Sequence, residues 1–200
     1  MLRARVISDP VEPVSLAEAY QHLRIDPIDS SDITGRPDDG LIEAWITAAR
    51  EYCENFTGLS LALKDYEIAF TEWPATIELP YPPFVAVLGI TVSDDSSDAA
   101  LDPSQYVVDT WSDPSFAILK PVGAWPAIDT GDVARIRYRA GVGDESEAAG
   151  PVPKTIIAAM LLLLGHWYST REAVIQGQPT TIPLGVESLL RPHRVLLGLA

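Results

Sequence analysis

The chain has 200 residues, 47% hydrophobic and 21% charged, enough to bury a core without disulfides or metals to hold it. Its 14 Lys+Arg against 28 Asp+Glu give a net charge of −14, which argues against a wrapping contact with nucleic acid. A single cysteine, Cys53, excludes an internal disulfide framework and a cysteine-built zinc cluster. The charge is uneven: residues 151–200 hold four bases (Lys154, Arg171, Arg191, Arg194) and two acids (Glu172, Glu187). The tail and the body therefore differ in character. The opening MLRARVISDP has no apolar stretch of signal-peptide length, so secretion is not expected.

In chain order, Ser15 and Glu18 form a capping box that starts a helix, SLAEAYQHLRI, with Leu16, Ala19, Tyr20 and Leu23 on one face. It stops before Asp26-Pro27, and a polar, turn-rich stretch follows. Asp38 or Asp39 caps a second helix, in which Leu41, Trp45, Ala48, Ala49, Tyr52 and Phe56 recur at helical spacing. Gly58 ends it. Cys53 falls inside this pattern as a small buried apolar residue.

The period then changes from helix to strand. Strands are expected over residues 61–70, 76–79, 85–92, 105–110, 116–120 and 132–140. The last alternates strictly, placing Arg135, Arg137 and Arg139 on a half-exposed face as an ordinary solvent face or an anion stripe. After the acidic loop GVGDESEAAGPVP comes PKTIIAAMLLLLGHWYSTRE, a helix apolar around most of its circumference. Its apolar run, Ile156 to Leu164, falls short of the ~20 residues a membrane span needs. It reads as a helix buried on several sides. A short helix over residues 185–190 ends at Arg191-Pro192.

The order of elements predicts an α+β, mainly helical protein. An N-terminal helix pair and a long C-terminal helix form a helical bundle, with an inserted antiparallel β-sheet or small β-sandwich. The expected segments are residues 1–58 (helix pair), 59–141 (β-rich insertion) and 142–200 (C-terminal helix and partner-binding tail), together one compact unit.

Catalytic chemistry is hard to find. There is no GxGxxG after a strand, no Walker A, no HExxH and no GxSxG. His22, His166 and His193 stand far apart, none at metal-ligand spacing. Asp94, Asp95 and Asp98 lack the glycine and glutamate of a calcium loop. No catalytic, metal or cofactor site is expected. A carboxylate-based, metal-dependent enzyme remains one alternative, since paired acids cannot be recognised without geometry. A monomeric module binding a host protein is another.

A series of motifs carries a further indication. It runs through EAYQHLRID, the FTG end of the second helix, ELPYPPF, YRAGVGD, VPKTIIAAM with WYSTRE at the end of its helix, and IPLGVESLLRPHRV. Together they cover nearly the whole chain and resemble the head–tail connector (adaptor) family of tailed bacteriophages and phage-like gene transfer particles. The resemblance implies a structural virion protein, not an enzyme, without cofactors. It implies a homo-oligomeric ring of about twelve copies, each showing two complementary faces. Portal protein lies above, a stopper, tail-completion or tail protein below, and DNA passes without sequence-specific binding. No membrane is involved, and assembly takes place in the host bacterial cytoplasm.

Within that resemblance the portal contact is expected in the tail, at Leu189, Leu190, Arg191, His193, Arg194, Val195, Leu196 and Leu197, a basic and apolar hook. The subunit interface is expected on the apolar helix, at Met160, Leu163, Trp167, Tyr168 and Arg171. An acidic body also suits a conduit to which DNA must not stick.

Overall fold

The computed structural model describes residues 4–25, 37–93, 98–111, 115–143, 149–170 and 184–195. The chain divides into two compact units, Met1–Val11 with Ala62–Pro151, and Glu12–Leu61 with Val152–Ala200.

The first unit is built of strands: β1 (Arg5–Val6), β2 (Lys64–Phe70), β3 (Ile77–Glu78), β4 (Phe84–Ser93), β5 (Asp98–Ala100), β6 (Tyr106–Trp111), β7 (Phe116–Pro121) and β8 (Val133–Ala140). They form two antiparallel sheets, β1-β2-β8-β4-β5 and β3-β7-β6. Alternation explains β8. Ala134, Ile136, Tyr138 and Ala140 turn inward, and the arginines between them turn outward. The inward set joins Tyr66, Ile68, Phe70, Ile77, Leu79, Ile90, Ala117 and Leu119 in one core shared by both sheets. Tyr138 stacks on Tyr66 at 5.4 Å and donates to the Pro80 carbonyl at 2.8 Å. Its burial pushes the phenol well above its ordinary pKa.

One glycine closes this unit. Gly141 has φ 131°, and a Cβ there would lie 2.0 Å from the Ala62 carbonyl oxygen. Only a residue without a side chain lets β8 leave the sheet at that point.

The second unit holds α1 (Leu16–Leu23), α2 (Asp39–Thr57), α3 (Lys154–Thr170) and α4 (Leu184–Leu190), followed by a 3-10 turn, Arg191–His193. The capping box of α1 forms: Glu18 N–H donates to Ser15 Oγ, and Ser15 N–H donates to Glu18 Oε2 at 2.9 Å. The Ser15 N–H and the Ser15 hydroxyl both donate to the Glu18 carboxyl and hold it below its usual range. In α2 the buried face is Ile42, Ile46, Ala49, Arg50, Cys53 and Thr57. Of the residues that recur at helical spacing, Ala49 belongs to this buried face, whereas Leu41 and Ala48 are exposed and Trp45, Tyr52 and Phe56 half-buried on its flank. Branched and small residues lie flat against neighbouring helices, whereas the large rings reach sideways to other partners.

Arg50 is the charged member of that buried face. Its guanidinium bonds Glu12 at 2.9 and 3.2 Å and Glu54 at 2.8 Å. Burial disfavours its charge, and the two carboxylates outweigh that cost and raise its pKa. Thr47 also donates to Glu12, and Glu54 accepts the Leu61 N–H, so the cluster fixes both ends of this segment.

The expected mainly helical bundle with a long C-terminal helix is overturned. Among the described residues, eight strands in antiparallel sheets stand beside four helices. The apolar helix α3 has 17 residues against 19 in α2, and α4 follows it. Two physical causes account for the difference. Strands β1 and β5, of two and three residues, are too short to show alternation, so the sheets were undercounted. The apolarity of α3 also overstated its burial: Ile156, Ala159, Met160, Leu163 and Leu164 are buried, while Leu162 is 40% exposed.

Candidate assembly surfaces

Two surfaces of the helical unit hold part of the expected interface residues. The first lies where α2 meets the C-terminal end of α3. Met160 and Leu163 point into the core and present no surface. Trp167 and Tyr168 lie one turn further and are half-buried. The ring of Tyr168 meets Trp45 edge-on, with centroids 6.4 Å apart and planes at 90°. Beside them Trp45, Ala48, Trp167 and Thr170 line an open groove of about 310 Å³. Two indole rings, the Ala48 methyl and the Thr170 side chain make its walls, a mixed polar and apolar lining. Arg171, the last residue of the expected interface, lies outside the described residues.

The second surface is the tail. In α4, Val186 and Leu190 are fully buried and Leu189 half-buried. The 3-10 turn after it is tied down residue by residue. His193 Nε2 lies 2.6 Å from Thr155 Oγ1, and the Arg194 guanidinium sits 5.7 Å from the centre of the Phe56 ring. Val195 N–H donates to the Thr57 carbonyl at 2.7 Å, which carries the tail across the end of α2. Arg191 and Arg194 are exposed, so the tail shows cations outward and leucine inward. Leu196 and Leu197 lie outside the described residues.

The arginine stripe of β8 is paired across the sheet. Arg137 meets Glu67 at 2.8 Å, Arg139 bonds both Asp65 oxygens at 2.7 and 3.2 Å, and Arg135 donates to Ser93 Oγ at 2.6 Å. Arg137 and Arg139 meet the acids directly opposite them on β2, whereas Arg135 meets the neutral Ser93 of β4, so two of the three arginines are charge-matched across the sheet. Periodicity showed which face the arginines share; only strand pairing showed what they meet.

Burial pushes the Cys53 thiol up to about 12, which keeps it protonated and unreactive at neutral pH. Among the described residues no three His, Cys, Asp or Glu stand together as a metal site, and no helix is long and apolar enough to cross a membrane.

No known protein family and no curated protein matches the sequence. Solved structures do match its fold. The chain is similar to one in the neck of an empty GTA particle computed with C6 symmetry, at TM-score 0.75 and 21% identity, over 99% of this chain and 98% of that one. A second likeness is to a chain of the virion of a native gene transfer agent (GTA) particle, at TM-score 0.72 and 20% identity, covering 98% and 97%. A third is to a chain in the neck of a native GTA particle computed with C12 symmetry, at TM-score 0.70 and 22% identity, covering 99% and 98%. The fold is therefore shared, over nearly the whole chain, with chains of gene transfer agent particles.

Proposed function

We propose that this chain is a structural, non-catalytic subunit of the neck of a phage-like particle, repeated in a ring that joins the portal to the tail or stopper. The observation that carries this reading is the end-to-end likeness in fold to chains of gene transfer agent necks. The C6 and C12 symmetries of those necks support a repeated subunit, and a closed ring needs two different complementary faces on each copy. The groove at Trp45 and Trp167 is offered as one subunit contact. The exposed cations Arg191 and Arg194 are offered as the portal contact, with His193 and Leu189 beside them. DNA passes through without base-specific contact, in keeping with a net charge of −14.

The test is to mix the purified protein with the portal of the same particle and measure native mass and negative-stain images. A ring of about a dozen copies stacked on the portal supports the reading. A monomer that ignores the portal overturns it. Deleting residues 185–200 is a poor probe of the contact, because it strips Val186 and Leu190 from the core. Reversing the exposed charges with Arg191→Glu and Arg194→Glu leaves those leucine and valine contacts in place. The double variant is expected to lose portal binding while remaining folded.

A further inference from the structure

Each sheet of the first unit has two edges, and three of these four are blunted. β1 and β3 have two residues and β5 three, too little backbone to template another strand. The fourth, β6, runs six residues, and no described strand lies beyond it. The ladder fixes which way its backbone points. Val122 N–H donates to the Gln105 carbonyl at 2.8 Å, and Val107, Asp109 and Trp111 follow at every second position opposite Lys120, Ile118 and Phe116. Bonding residues alternate in an antiparallel pair, so Tyr106, Val108 and Thr110 direct their N–H and C=O groups away from β7. On the far side of β7, the Leu79 N–H bonds to the Ala117 carbonyl, which agrees with that phase.

The side chains around this edge are those of an interface rather than of a solvent face. Val107 is 52% exposed, Trp111 43% and Val122 58%, with Trp111 stacked on Phe116 at 5.8 Å. On the other face Tyr106 and Val108 pack half-buried against the core. Asp109 stands among these, paired to the exposed Lys120 at 3.0 Å. The unit as a whole holds seven Lys and Arg against sixteen Asp and Glu. A second copy of this unit would bring the same acid surplus to the edge, whereas a basic segment is attracted.

We propose that the β6 edge is a docking site for an extended, basic segment of another protein. The segment adds as a fourth strand beside Tyr106–Trp111. Its inward residues are apolar and continue the core past Tyr106 and Val108. Its outward residues are Lys or Arg, set against Asp109 and the Trp111 ring. The site does not depend on the ring reading, and the isolated full chain suffices to examine it.

The test uses a short synthetic peptide of alternating valine and lysine, its valine–glutamate counterpart, and amide hydrogen exchange resolved by residue. With the lysine peptide at about 1 mM, exchange at Tyr106, Val108 and Thr110 is expected to slow by about tenfold or more, with Val107 and Asp109 little changed. The glutamate peptide is expected to bind about tenfold more weakly or not at all. Thr110→Pro removes one outward N–H on an edge strand, where proline is tolerated, and is expected to abolish the protection with the β6–β7 ladder intact. No protection by the lysine peptide, or protection spread over other strands, overturns the proposal. Equal binding of the two peptides overturns its basic-partner half, and unchanged protection in a folded Thr110→Pro variant overturns its backbone half.

Discussion

The two units reach stability by different routes. The strand unit has one contiguous core to which both sheets contribute, and apart from Lys64, buried at the start of β2, its paired charges lie on the outer face of the sheet, as in Arg137 with Glu67. The helical unit builds a buried charge into a network of two carboxylates. Arg50 sits on the buried face of α2, held by Glu12 and Glu54. Exposed pairs contribute little to stability, whereas breaking a buried one leaves an unpaired charge. The exposed cross-strand pairs of the strand unit should therefore tolerate charge changes, and that unit should fail at its backbone constraints. The helical unit should be sensitive to both packing and charge.

The sharpest way to break that comparison is at Gly141. Replacing it with Ala puts a methyl group against the Ala62 carbonyl at a positive φ, and a loss of about 4 kcal/mol or more is expected. Denaturant unfolding read with amide exchange in β2 and β8 measures it; a loss below about 1 kcal/mol would mean the backbone relaxes freely there. Next comes Leu163→Ala in the helical unit, expected to cost about 3 kcal/mol as a cavity in a fully buried site. A near-neutral result in urea unfolding would show that α3 collapses onto the space.

Glu12→Ala should cost about 2 kcal/mol, since it strips two bonds from a buried guanidinium. Glu67→Ala, which removes the partner of the exposed Arg137, is the matched control in the strand unit and should cost under about 1 kcal/mol. Equal losses in the two variants would erase the distinction between the units.

The smallest effect belongs to the capping box. Ser15→Ala should cost about 1 kcal/mol, seen as faster exchange in the first turn of α1. The Glu18 pKa is lowered in the folded chain, so its contribution is present above the ordinary carboxylate range and fades as pH falls through the lowered value. In Ser15→Ala that acid-side loss should shrink. A variant with the wild-type acid profile would remove Ser15 as the cause.

Much of the local structure was legible because it is written in adjacent residues. Ser15 and Glu18 lie three apart, so their mutual capping needs nothing from the rest of the chain. The alternation of β8 and the glycine at the end of α2 are equally local. The candidate surfaces were legible only in part. Trp167 and Tyr168 stand out at the end of an apolar helix, but the contact of Tyr168 with Trp45 is hidden, because spacing alone cannot tell the buried face of α2 from its flank.

Period and capping, set by neighbouring residues, determined where helices and strands begin, and composition set the acid excess. What only the tertiary structure decided depends on residues far apart in sequence: the division of strands between two sheets, the pairing of Arg139 with Asp65, the burial of Arg50 and the open edge of β6. Hydrogen-bond direction and burial are properties of pairs of segments. A one-dimensional pattern carries each segment's preference, while the match between segments is fixed only when the chain closes on itself.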